Sequence, residues 1–420
     1  MNGVNSRISP ARWLFVLIVL GIGWGDSLSI RAAEPAPATT PATPQRSWSR
    51  GPSTNEAYFP IGVWLQSPAN AARYKAAGIN LYVGLWNGPT EEQLAVLKSA
   101  GMSVICAQNA VGLKHREDPT IIGWMHGDEP DNAQEIPGGK GYGPPIPPER
   151  IREDYLRLRA ADPTRPVLLN LGQGTAWDDY IGRGVRRNHP EDYPRYIEGS
   201  DIVSFDIYPV VHPSKEIAGR LEFVARGVER LVNWAGPTRT VWNCIECTHI
   251  SNPKAKATPA QVRSEVWMSL IRGSRGLIYF VHQFEPEFRE AALLDDPEML
   301  EAVTAINREI RELAPVLNGP EVVGGVTVTT TTSTGSAANG AMAWSQRVRS
   351  GQRYLFAVNL GSGSTRAAFM LKDIPSEAAV EVLGERRKLA IENGRFADQF
   401  GGYAVHLYRL RAGARLEASP

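Results

Sequence analysis

Between residues 59 and 317, short apolar runs of strand character alternate with segments of helical periodicity, and this alternation constrains the fold more than any other feature. Strands are predicted at 59–65, 80–86, 103–108, 121–126, 166–171, 201–208, 240–246 and 276–282, and helices at 69–77, 91–100, 148–161, 218–234, 259–273 and 297–314. Ala77-Gly78 and Ala100-Gly101 supply the glycine expected just past a helix end, and Thr258-Pro259 supplies a helix start. Parallel neighbours need crossover connections, so the alternation implies a parallel sheet. Eight units without a glycine-rich phosphate loop after the first strand favour a closed (β/α)8 TIM barrel over an open doubly wound sheet. The stretches 109–120 and 172–200 fit this scheme least, the first being short for a helix and the second long and irregular.

The pattern changes after Pro320. Val322–Thr332 is rich in Val and Thr, and further extended runs follow at 354–360, 367–371, 379–383 and 403–410 between Gly/Ser-rich turns. A small C-terminal all-β sandwich over 320–412 is expected, with 413–420 as a tail. At the other end, Arg7 and Arg12 precede the apolar run Trp13–Leu20, which is too short for a comfortable membrane span and reads as the core of a signal peptide over 1–33. Residues 34–52 read as a Pro/Ala/Thr-rich linker and 53–319 as the catalytic barrel. The chain is therefore expected to be exported, to the periplasm or the exterior, with no stable membrane association after cleavage. Its 45 basic and 44 acidic residues give a net charge of +1. No basic stripe points to nucleic acid. Cys106, Cys244 and Cys247 read as packing residues, because the C-x-x-C run lies in a strand and not at a helix start.

Barrel active sites lie at the C-terminal ends of the strands. The fourth strand ends in His126-Gly127-Asp128-Glu129-Pro130-Asp131 and the seventh in Asn243-Cys244-Ile245-Glu246-Cys247-Thr248, so each carries a carboxylate to that face. Glycoside hydrolysis needs two carboxyl groups, one to protonate the leaving oxygen and one to attack or to activate water. Glu129 and Glu246 are the expected pair. An ordinary structural role, as a helix cap or an arginine partner, is the alternative for each.

The stretch Gly123-Trp124-Met125-His126-Gly127-Asp128-Glu129-Pro130 resembles the strand-four motif of clan A (the 4/7 superfamily) of retaining glycoside hydrolases, in a divergent Asp-Glu-Pro form. That resemblance implies a (β/α)8 barrel acting on a β-linked glycan by double displacement. Glu129 would be the acid/base, Glu246 the nucleophile, and Tyr208 a residue that hydrogen-bonds the nucleophile. Asp128 departs from the pattern, since the clan places Asn there to bond the substrate 2-hydroxyl.

Trp86, Asn87, Gln108, Asn109, Asn170, Asp206, His282 and Gln283 fall near strand ends and are candidates to bind sugar hydroxyls together with Asp128. Trp64 and Trp177 are candidate stacking platforms, whereas Trp124 and Trp242 read as barrel core. The histidines show no H-x-H or H-E-x-x-H spacing, so neither a catalytic metal nor a cofactor is expected. The expected partner is an oligo- or polysaccharide. Two competing readings are a carbohydrate-binding barrel that has lost catalysis, which Asp128 would signal, and a barrel with a different chemistry.

Overall fold

The computed structural model describes residues 48–332, 342–372 and 379–411. The expected signal segment, most of the linker and the tail lie outside the described residues. Among the described residues, no helix is long and apolar enough to cross a membrane.

Nine strands form one parallel sheet: β1 (Ile61–Trp64), β2 (Leu81–Val83), β3 (Ser103–Cys106), β4 (Ile121–Met125), β5 (Val167–Leu171), β6 (Ile202–Phe205), β7 (Thr240–Val241), β8 (Asn243–Glu246) and β9 (Leu277–Phe280). Their order is β7-β6-β5-β4-β3-β2-β1-β9-β8. β7 and β8 are the two halves of the seventh strand expected over 240–246, parted at Trp242. The lower half pairs with β6 and the upper half with β9, so one chain segment joins the two ends of the sheet into a barrel of eight strand positions.

Alternation along each strand sorts side chains between two cores. Leu81, Val83, Ile105, Leu168, Ile202, Trp242, Cys244 and Ile278 fill the interior. Val104, Leu169, Val203, Phe205, Leu277 and Tyr279 face the surrounding helices. These are α1 (Ala71–Ala76), α2 (Glu91–Ala100), α3 (Ala110–Lys114), α4 (Pro148–Ala161), α5 (Tyr193–Ile197), α6 (Glu222–Ala235), α7 (Pro259–Ile271) and α8 (Pro297–Leu317). Thr90 and Thr258 each close a capping box, with Gln93 and Gln261, which fixes where α2 and α7 begin. The two stretches that fit least do hold abbreviated helices: α3 has five residues, and 172–200 forms three 3₁₀ turns followed by α5. Most strands are shorter than expected because their last residues leave the sheet to build the barrel mouth. Leu65 and Asn87, just past β1 and β2, and Glu129, just past β4, take positive φ there.

The C-terminal strands are β10 (Val326–Thr332), β11 (Met342–Arg349), β12 (Gln352–Asn359), β13 (Thr365–Leu371), β14 (Ala379–Val382), β15 (Arg387–Ala390), β16 (Arg395–Phe400) and β17 (Val405–Arg411). They form two antiparallel sheets, β10-β13-β16 and β11-β12-β17-β14-β15, over a shared core in which Phe369 stacks on Phe396 at 4.8 Å. β11, β15 and β16 were not expected from sequence, since Arg387-Lys388 and Arg395, Asp398 and Gln399 dilute the apolar signal. β12 is buried on both faces. Leu355 and Ala357 enter the sandwich core, while Phe356 and Val358 pack against the barrel, with Phe356 at 5.1 Å from Trp267 of α7.

Candidate active site

Asn170 is the hub of the polar layer at the barrel mouth. Strand alternation turns it inward beside Leu168, where its side chain is 2% exposed. Its Nδ2 donates to Asp128 Oδ1 at 2.9 Å and to Asp206 Oδ2 at 3.3 Å. Its Oδ1 accepts from Ser204 Oγ at 2.8 Å, with Cys244 Sγ at 3.7 Å. One amide thus bridges carboxylates from the ends of β4 and β6, and its own oxygen is held from beneath.

Glu129 joins the same group. Its backbone sits at φ +43°, a left-handed conformation that costs an L-residue about 1–2 kcal/mol and that clusters at functional sites. Its side chain lies within hydrogen-bonding reach of Asp206, and one proton shared by the two acids satisfies both. Burial first, and then the charges of Asp206, Asp128 and Asp131, hold the Glu129 carboxyl well above the usual range. Asp206 is pushed up to about 8, chiefly by burial and then by Asp128. Withdrawal of water on its protein side, aided by Asp131, moves Asp128 up to about 6. Asp128 keeps an exposed face, and solvent weakens that push. Glu129 is half-buried, so both acids reach the cleft.

Gly172, after β5, lets Glu129 approach. A Cβ there would stand 2.8 Å from Glu129 Oε1 and 2.6 Å from Asn132 Oδ1. Asp131 organises this wall and is fully buried, accepting from Gly172 N at 2.9 Å and Tyr193 Oη at 3.0 Å. The Gly/Pro-rich loop after Glu129 is tied to the 172–200 segment by Ala133 N donating to Gly182 O and Tyr196 Oη donating to Ile146 O.

Glu246 belongs to a different group. It is fully buried, its Oε1 accepting from Val210 N at 2.7 Å and its Oε2 from Val211 N at 3.2 Å. Glu265 of α7, also fully buried, lies against it, and neither Glu265 oxygen has another hydrogen-bonding partner. A proton held between the two carboxyls satisfies both. Burial pushes Glu246 up to about 7, and burial plus the Glu246 charge raises Glu265 well above its ordinary range. The structure therefore brings Glu129 together with Asp128, Asp131, Asp206 and Asn170, and sets Glu246 with Glu265.

The remaining candidates divide similarly. Tyr208 is 9% exposed, its hydroxyl has no partner, and it feels Asp206, Glu129 and Asp128. His282 donates from Nε2 to Leu65 O at 3.1 Å, and burial lowers its imidazole to about 4, so it is neutral at pH 7. Trp86 meets that ring edge-on at 5.8 Å and donates to Glu290 Oε1 at 2.8 Å. Gln108 turns to α4, donating to Leu158 O, and Asn109 caps α3. Asn87 is exposed, with φ +51°. Gln283 pairs through its backbone with Ile250 and Arg289. Trp64, Trp124 and Trp242 are buried, whereas Trp177 packs on Tyr180 at 5.9 Å and His212 at 5.5 Å. The three cysteines are buried and unpaired.

Sequence reasoning missed Tyr180, which feels the charges of Glu129 and Asp206, because it lies in an irregular segment. It also missed Glu265, which stands among polar neighbours Arg263 and Ser264 on α7 and so carries no apolar-run signal of burial. A cavity of about 820 Å³ lies elsewhere, between α7, α8 and the sandwich, lined by Arg263, Glu309, Tyr354 and Arg409 among others.

A scan against protein-family models gives no match, and a search among curated proteins gives none. Solved structures do match. AmyP in complex with maltose aligns at TM-score 0.51 and 9% identity, covering 84% of this chain and 96% of that one. An Anoxybacillus α-amylase, described as representing a new glycosyl hydrolase subclass, aligns at TM-score 0.51 and 10% identity, covering 85% and 99%. At that identity the likeness is one of fold: a TIM barrel followed by a β-sandwich.

Proposed function

We propose that the chain is a glycoside hydrolase in which Glu129 is the general acid/base. The observation that carries this reading is the half-buried Glu129 at the barrel mouth, its carboxyl raised by burial and by Asp206, Asp128 and Asp131 around it. A carboxyl held above its usual range can donate a proton near neutral pH. It would protonate the glycosidic oxygen as the bond from that oxygen to the anomeric carbon breaks, and then take a proton from the water that releases the sugar. The exposed Tyr142, Ile181 and Phe288 and the half-buried Trp86 and Trp177 offer apolar faces of the kind that pack on sugar rings. The kinship in fold with two carbohydrate-active proteins supports the class.

In the retaining form implied by the strand-four motif, the substrate is a β-linked glycan and Glu246 is the nucleophile. Its carboxylate would have to leave the Val210 and Val211 amides to reach an anomeric carbon. A second reading gives that role to Asp206, which shares the mouth cluster with Glu129 but would have to open its hydrogen bond to that acid to the roughly 5–5.5 Å of a retaining pair. Aryl glycosides separate the two. Glu246→Ala and Asp206→Ala should both be slow, and added azide should restore turnover and yield a glycosyl azide of inverted configuration only in the variant lacking the nucleophile. Unimpaired hydrolysis by Glu129→Ala would overturn the acid assignment.

A further inference from the structure

The mouth of the barrel is acidic without compensation. Asp128, Glu129 and Asp206 come together there, yet among the described residues none pairs with a Lys, Arg or His. The buried Arg183, whose charge reaches Asp131, donates elsewhere, to Asp131 O, His189 O and Asp192 Oδ2. The gap between Asp128 and Asp206 is already filled by the Nδ2 of Asn170, whose orientation is fixed by Ser204 and Cys244 on its oxygen. An ion caged between these carboxylates would have to expel that amide. The unsatisfied acceptor capacity therefore faces outward, on the exposed side of Asp128 and the half-buried side of Glu129.

A second feature, independent of charge, marks the same place as a binding site. Tyr208 is 91% buried and its hydroxyl has no partner, although it sits within the field of Asp206, Cys244, Glu129 and Asp128. A buried hydroxyl left unpaired is costly, and a polar group of a ligand seated against these acids would complete it. A ligand that completes the site offers a donor or acceptor at Tyr208 and donors at Asp128, and a positively charged donor gains most there because no cation already pairs with that carboxylate.

We infer that the site takes a glycan carrying a free primary amine, an amino sugar that is not N-acetylated, with its ammonium on Asp128 and a ring oxygen or hydroxyl on Tyr208. This deepens the hydrolase reading and rests on it for turnover, but the binding step stands apart. An ammonium is a compact three-donor cation suited to an acceptor-only carboxylate, whereas uronic acids and sulfated sugars would meet repulsion from Asp128 and from the charge left on the Glu129–Asp206 pair. Acetylation removes both the charge and two of the donors.

The full-length protein should be tested with oligosaccharides of glucosamine and galactosamine in both anomeric linkages, each as free amine, as N-acetyl derivative and as the neutral hexose counterpart. Calorimetry with the monosaccharides should accompany turnover. The free amine should bind and react at least ~10-fold better than either counterpart, the range of one charge-assisted hydrogen bond. That preference should shrink at high salt and collapse in Asp128→Asn. Hydrolysis of neutral or acetylated substrates at equal or higher efficiency would overturn the inference and leave the hydrolase reading intact. Binding of the amine without hydrolysis of any substrate would do the reverse. Calcium or magnesium chloride binding alone in calorimetry, displacing glucosamine and lost in Asp128→Asn, would also overturn it. Because the preference is read in the unmodified protein, misfolding of the variant would not rescue the idea.

Discussion

Two pairs of acids occupy this barrel, and their surroundings could hardly differ more. Glu129 and Asp206 meet at the mouth, on a residue with left-handed backbone and with an exposed third acid alongside. Glu246 and Glu265 meet in the wall between β8 and α7, fully buried, with two backbone amides on one partner. Both pairs hold raised carboxyls for the same first reason, loss of water, so a displaced pKa alone does not mark chemistry. Access distinguishes them. The mouth pair opens to the cleft, whereas the wall pair as it stands touches only its neighbours and joins the strand end, the helix and the 206–212 loop.

The sharpest way to break this comparison is at Glu129. Glu129→Gln should lower kcat by ~10²–10⁴ while thermal unfolding shifts little, since the side chain is half-exposed and makes no ion pair. A large fall in stability with activity retained would exchange the roles of the two pairs.

The next effect is read in stability and concerns the wall. Glu246 is raised from 4.5 to about 7 in the folded state. Between those values the native chain keeps a proton that the unfolded chain has released, so stability declines as pH rises through this window. The decline from this group should be about 3 kcal/mol, complete above pH 7. Urea unfolding at pH 4.5 and 8 should show it; Glu246→Gln, which cannot ionise, should lessen the decline, and the double change with Glu265→Gln should remove the contribution of this pair. An equally steep profile in that variant would place the pH dependence elsewhere.

The smallest effect is steric. Gly172→Ala would bring a methyl group within 2.8 Å of Glu129 Oε1 and should cost ~10–100-fold in kcat through displacement of the acid. Unaltered kcat would mean that Glu129 works from another position.

Much of the fold was legible because alternation is a long-range signal: eight strand positions and the switch to β-structure after Pro320 follow from it, and Thr258-Pro259 marked where α7 begins. The site was legible where strand parity decides. Asn170 and Asp206 were singled out as strand-end polar residues, and both enter the acid cluster. What failed to show was anything set by irregular backbone. Tyr180 reaches the cluster from a run of 3₁₀ turns, and Glu265 reaches Glu246 from a helix whose buried face has no sequence mark. Partnership was also hidden. Sequence places Glu129 and Glu246 on one face of the barrel, but which acid each one touches depends on the loop at 206–212 and on α7.

β12 carries a final consequence. Because Phe356 and Val358 serve the barrel while Leu355 and Ala357 serve the sandwich, the strand has no surface left over for either module to keep if the other departs. α7, the helix that contributes Glu265, packs by Trp267 on Phe356, and its Ser264 Oγ donates to Tyr403 O at 2.7 Å. The C-terminal sheets thus act as a buttress for the barrel's seventh crossover. Evolution could reshape the loops around the mouth freely, but it could not shed or exchange this module without rebuilding the wall that holds the inner acid pair.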